Sequence, residues 1–132
     1  MDFSGVNWIA LIVATVAAYG LGALWYGPIF GKTWQKEVGL TEEDMKGANM
    51  AQILGTTLVL TFIMGLGIAL FGDLKDWMSG LQSGLLFGVF FIAASMGINY
   101  LYQQKSLKLW LIDVGYQVLF LGLFGAILGA WH

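Results

Sequence analysis

The chain has 132 residues, of which 58% are apolar and 11% charged, and its net charge is −2 at neutral pH. A soluble domain carries about 25% charged residues, so this composition excludes a water-facing globular surface, and it offers no basic footprint for nucleic acid. Cysteine and arginine are both absent, which removes disulfides, thiolate metal sites, cysteine nucleophiles and guanidinium forks together.

Four apolar runs follow one another, roughly Val6–Tyr26, Met50–Gly72, Met78–Tyr102 and Leu107–Trp131. Each is long enough to cross the hydrocarbon core as a helix, and helices satisfy their own backbone in lipid. The expectation is an all-α, four transmembrane helix bundle, a single integral membrane domain over residues 1–132. The first run lacks a preceding Lys or Arg and is too long for the apolar part of a signal peptide, so it is read as a retained span.

Gly27-Pro28 predicts the end of the first span, because the residue before proline is pushed out of helical geometry. Ile29–Val38 then reads as a short amphipathic interfacial helix between spans one and two, with Phe30, Trp34 and Val38 recurring every four residues. Gly39 stops it. Thr41 with Asp44 has the form of a capping box, so the second helix is expected to begin near Glu42 and to enter the bilayer near Met50. The loop Asp73–Trp77 is short, which predicts that spans two and three are antiparallel neighbours. The turn Gln103–Ser106 pairs spans three and four in the same way, with Ser106 as the cap of the fourth helix. The last residue, His132, reads as a free tail.

Stripes of small residues run along each span: Ala10, Ala14, Ala18 and Gly22; Thr57, Thr61, Gly65 and Ala69; Gly80, Gly84 and Gly88; Gly115, Gly122, Gly125 and Gly129. Membrane helices associate by close backbone approach over such residues. A tight bundle is expected, with a stripe free for homo-oligomer formation. Five of the six lysines, Lys32, Lys36, Lys46, Lys105 and Lys108, fall at one end of the spans, and Lys75 alone falls at the other. That end is expected to be cytoplasmic, with both termini outside. Lys32, Lys36, Lys105 and Lys108 are placed to meet anionic headgroups. Trp25, Tyr26, Trp34, Tyr100, Tyr102 and Trp110 at this end, and Trp8, Trp77 and Trp131 at the other, read as interfacial belt anchors.

The one ionisable side chain inside an apolar run is Asp113, seven residues past Ser106 and so about 10 Å down the helix axis. An acid at that depth is costly and needs partners. Gln117 follows one turn deeper with Tyr116 beside it, and Ser95 and Asn99 continue the Gly84–Gly88 stripe toward the same end. A polar cluster of Asp113, Gln117, Asn99 and Ser95 is expected, joined by Tyr26 or Tyr100. Two readings compete. In one, Asp113 is a proton-titrating or cation-coordinating carboxylate in a small transporter or channel subunit. In the other it is structural, accepting indole, phenol or amide donors in a non-catalytic scaffold or accessory subunit. The sequence shows no paired carboxylates in one span, no nucleophile elbow and no metal-ligand spacing, so neither an enzyme nor a cofactor is expected.

The strings Leu24–Trp34 (LWYGPIFGKTW), Gly39–Asp44 (GLTEED) and Ser106–Tyr116 (SLKLWLIDVGY) resemble the hallmarks of a bacterial membrane family, domain of unknown function 1761. The resemblance covers nearly the whole chain. It implies a four-helix integral protein of the bacterial inner membrane and no established activity. Asp113, Asn99, Trp25, Tyr26 and Pro28 are the positions it singles out, and Lys32 and Trp34 complete the motif of the first loop. Relatives often carry a histidine where this chain has Gln117.

Overall fold

A computed structural model describes residues 2–131, so His132 lies outside the described residues. Four helices are long and apolar enough to cross a membrane: Trp8–Ile29, Met50–Phe71, Trp77–Tyr102 and Leu107–Ala130. Helix α1 covers Trp8–Leu24 and runs directly into a π-helical turn, Trp25–Ile29. Two short helices follow, α2 at Gly31–Val38 and α3 at Glu42–Lys46. The second span is α4, Met50–Phe71. The third consists of α5 (Trp77–Phe87), a π segment (Gly88–Ala93) and α6 (Ala94–Tyr102), and the fourth is α7, Leu107–Ala130.

Side-chain caps set most of the helix starts. Asn7, Thr41, Asn49, Asp76 and Ser106 each accept a backbone N–H from the first turn that follows, which satisfies a donor that the helix itself cannot. The Thr41–Asp44 capping box and the Ser106 cap match expectation. Gly39 ends α2 at φ +82°, a left-handed conformation that glycine adopts without steric cost.

Three expectations need correction. Pro28 does not end the first span. It sits inside the π turn, where the Phe30 N–H donates to the Trp25 carbonyl at 2.8 Å, five residues back. The wider turn carries the proline, which has no N–H of its own to place. The second helix does not run continuously from Glu42. It breaks after Lys46, and Asn49 caps a new start at Met50 by accepting from the Gln52 N–H at 3.1 Å. Spans two and three, despite their short loop, are not a packed pair. Span two packs on α1 and α7, and span three packs on α7, which also meets α1.

α7 is therefore the hub. Half of its most apolar stretch is buried, against 28% for span one and 17% for each of the other two. The most extensive pairing is α5 with α7, and it is glycine against backbone. A Cβ on Gly80 would strike the Gly125 carbonyl, one on Gly84 the Leu121 carbonyl, and one on Gly129 the Asp76 carbonyl. On the other side Ala10, Ala14 and Ala18 of α1 are fully buried, and Gly65 of α4 lies against Phe124 and Leu11. The core is completed by Phe120, Phe124, Leu121 and Leu128. Apart from Thr57, the small-residue stripes thus lie against other elements of the same chain. The first half of α4, through Leu60, is exposed along its length.

Candidate functional site

The site forms where the lysine-rich end of the bundle folds back on itself. Three elements converge on Asp113, near the start of α7. The π turn brings Tyr26 from span one, and its hydroxyl donates to Asp113 Oδ1 at 2.7 Å. Helix α2 tucks Trp34 under the bundle, and its indole N–H donates to the same oxygen at 3.1 Å. Tyr100 of α6 donates its hydroxyl to Oδ2 at 2.5 Å. The carboxylate is half-buried, and each of its oxygens is held by a neutral donor. Three neutral donors thus satisfy the carboxyl oxygens at membrane depth, which an acid buried among apolar helices requires. One of its donors carries a cation on its ring face, with Lys105 Nζ 4.6 Å from the Tyr100 ring centroid. A cation on the ring face polarises the phenol toward donation.

Aromatic packing fixes these donors in place. Tyr26 meets Trp34 at 5.8 Å and Tyr116 at 5.4 Å, both edge to face, geometries favoured by the ring quadrupole. Two further indoles fasten the same end. Trp25 Nε1 donates to the Ile112 carbonyl at 2.8 Å, and Trp110 Nε1 donates to the Ala93 carbonyl at 3.0 Å. Tyr116 turns away from the acid and donates to the Ala18 carbonyl at 2.9 Å. The belt reading therefore fails for Trp25, Tyr26, Trp34, Tyr100 and Trp110, whose polar atoms bond inside the protein. Tyr102 is 86% exposed.

The expected cluster is only partly assembled. Asp113, Tyr26 and Tyr100 meet, and Trp34 joins them. Gln117 is half-buried one turn deeper and takes no part in the hydrogen bonds to Asp113. Ser95 and Asn99 lie on the exposed face of α6. The cause is the π segment. The face of span three that meets α7 runs Gly80, Gly84, Gly88 and then Ala93, Gly97 and Tyr100, one residue later than an unbroken α-helix would place it. That single step rotates Ser95 and Asn99 away and brings Tyr100 in. Lys32 and Pro28 are exposed and make no contact with the acid. Ser106 adds one link beside its cap, donating to Glu37 Oε2 of α2 at 3.3 Å.

Two shallow hollows lie away from Asp113. One, of about 290 Å³, is at the opposite end among Val6, Asn7, Ala69, Leu74, Leu128 and Trp131. The other, of about 170 Å³, is an apolar groove between α4 and α5. Among the described residues, no three His, Cys, Asp or Glu side chains converge as a metal ion would require, and the only ion pair is Lys75 with Asp73, exposed at 3.7 Å.

A family model described as "Protein of unknown function (DUF1761)" matches residues 9–129. No curated protein and no solved structure matches the chain.

Proposed function

The chain belongs to the DUF1761 family, whose description names no activity, and from the site we propose that it is a non-catalytic architectural protein of a membrane, a scaffold or accessory subunit rather than a path for solutes. One observation carries this reading. Asp113 is tied by three donors from three different elements, the π turn, α2 and α6. A carboxylate that must release a proton or bind a travelling cation needs freedom to do so, whereas three of the roughly four acceptor positions of this one serve to lock the loop between spans one and two against α6 and α7. The transporter or channel reading needs an aqueous route to this acid, and neither of the two hollows described above is lined by Asp113.

The membrane is a bacterial inner membrane in this reading, with the lysine-rich end in the cytoplasm. The four crossings put Lys32, Lys36 and Lys46 at the same end as Lys105 and Lys108, and all five are exposed there. The positive-inside rule then sets the direction, and these lysines are available to anionic headgroups.

Liposomes holding a pH-sensitive dye test the proposal. Wild type and Asp113→Asn are expected to give the same proton leak as empty vesicles, while the variant loses thermal stability in detergent. A pH-driven flux in the wild type that Asp113→Asn abolishes with its fold intact would reverse the assignment in favour of transport.

A further inference from the structure

Spans three and four carry more polar side chains than their packing uses. Ser95 and Asn99 are exposed on α6 inside a membrane-spanning segment, and Gln117 is half-buried near the middle of α7. Among the described residues none of the three takes part in a side-chain hydrogen bond, and hydrocarbon offers them no water in exchange. Their spacing is complementary. The two spans are antiparallel, so the turn that leads deeper from Asp113 to Gln117 on α7 matches the turn back from Asn99 to Ser95 on α6. Moving α6 by one residue, a rotation of about 100° and a step of about 1.5 Å, would set Asn99 where Tyr100 now meets Asp113 and would turn Ser95 toward Gln117.

The residue that such a move needs is already present. The π segment Gly88–Ala93 holds one residue more than α geometry would over the same length, and its return to α-helix moves α6 by that residue. The turn after α6 stores a second deviation, because Gln104 has φ +57°, a left-handed conformation that a side chain with a Cβ disfavours. Three contacts oppose the move. Tyr100 donates to Asp113 Oδ2, Trp110 Nε1 donates to the Ala93 carbonyl at 3.0 Å, and Gly97 leaves room for that indole, since a Cβ there would lie 3.2 Å from Trp110 Nε1. In the shifted register Met96 takes the place of Gly97, and its pliable side chain adapts as the indole swings aside.

We propose that span three is a two-register switch: the π segment relaxes to α-helix, Tyr100 leaves Asp113 for the lipid face, and Asn99 and Ser95 pair with Asp113 and Gln117. Each register satisfies groups that the other strands, and two discrete packings of one interface make a bistable element. The switch opens the α6 side of the Asp113 clamp, while Tyr26 and Trp34 keep the loop between spans one and two fastened. It goes beyond the architectural reading and needs only the packing of span three on α7, so the flux experiment and the following one fail independently.

Asparagine occurs only as Asn7, Asn49 and Asn99, so full-length protein isotope-labelled at asparagine nitrogen gives three side-chain amide signals in lipid nanodiscs. A spin-labelled lipid broadens the Asn99 signal in the observed register and spares it in the shifted one. Helix register shifts take microseconds to milliseconds, so the wild-type Asn99 amide is expected to show relaxation dispersion that Asn7 lacks. Tyr100→Phe should raise the spared fraction several-fold. Deletion of Phe90 removes the extra residue, and should abolish the dispersion and leave Asn99 fully broadened. Flat dispersion at Asn99 in the wild type, with broadening that Tyr100→Phe leaves unchanged, would overturn the proposal. Dispersion that survives the Phe90 deletion would also overturn it, and would assign the motion to fraying at the end of α6.

Discussion

At Asp113 three donors meet two oxygens, and removing the acceptor is worse than removing any one donor. Single hydrogen bonds between membrane helices average about 0.6 kcal/mol and reach about 1.7 kcal/mol. Tyr26→Phe, Trp34→Phe and Tyr100→Phe should therefore each cost about 1 kcal/mol in reversible unfolding in detergent. Asp113→Ala strands all three donors and should cost about 2–3 kcal/mol, the upper part of the range of about 1–3 kcal/mol for leaving buried polar groups unsatisfied. Asp113→Asn keeps one carbonyl oxygen for Tyr26 and Trp34 but turns an amine toward Tyr100, so it should fall between these limits. Equal losses for Asp113→Ala and Tyr26→Phe would show that the three bonds do not act through the carboxylate. At the other end of the molecule Asp76 caps α5, and the backbone N–H of Ser79 on its carboxylate holds it below its ordinary value of 3.8. Its folded form thus binds a proton less readily than the unfolded chain. The cap is intact above that ordinary value and is lost as pH falls through the lower folded one. Hydrogen exchange at the Ser79 amide, corrected for its intrinsic rate, should accelerate over that acid range and stay flat above it.

The two π segments decide which side chains become neighbours, and they account for most of what the sequence did not disclose. Caps and stripes were legible, because Ser106, Thr41 with Asp44, Gly39 and the small residues every four positions act through local chemistry. A π turn has no such marker. Gly88–Ala93 reads as ordinary apolar helix, so Asn99 looked like a neighbour of Asp113 when Tyr100 is the one that donates. Pro28 read as a terminator because an α-helix cannot hold it, whereas the wider turn does. Trp34 came into view as an amphipathic residue of the interface, but nothing local says that α2 folds back to reach Asp113. The Asn49 cap was hidden behind the stronger signal at Thr41. A deletion follows from the register argument. Removing Phe90, which is exposed to lipid, should convert the π segment to plain α-helix and leave Tyr100 facing Asp113, because the extra residue is the one that shifted it. Removing Leu119, which is also exposed, slides the first half of α7 against its neighbours with no π turn to absorb the change. Comparing the thermal stability of the two deletions checks this, with the first expected to stay near wild type and the second to unfold. If both deletions unfold alike, the register account is wrong.

On the scale of the whole molecule, α7 holds the other spans, and its contact with α5 has the least tolerance. Where Gly80, Gly84 and Gly129 face backbone carbonyls, no side chain can move aside, so any added carbon separates the helices. Separation removes dispersion contacts along the entire seam, and dispersion is the main attraction available between helices in lipid. The count of four crossings was readable from apolar length alone. Their arrangement was not, because a short loop brings the ends of spans two and three together without making their faces complementary, and the glycines that do match lie on spans three and four. Gly84→Leu should thus act on the whole bundle. It is expected to abolish cooperative unfolding in detergent and to expose Asp113's donors as a group, read as faster proteolysis of the α2–α3 loop. Gly20→Leu, on a glycine whose Cβ would meet nothing within 4 Å, should leave both readings unchanged. If the two substitutions proved equally mild, the α5–α7 seam could not be what holds the hub together, and the clamp at Asp113 would have to carry the bundle by itself.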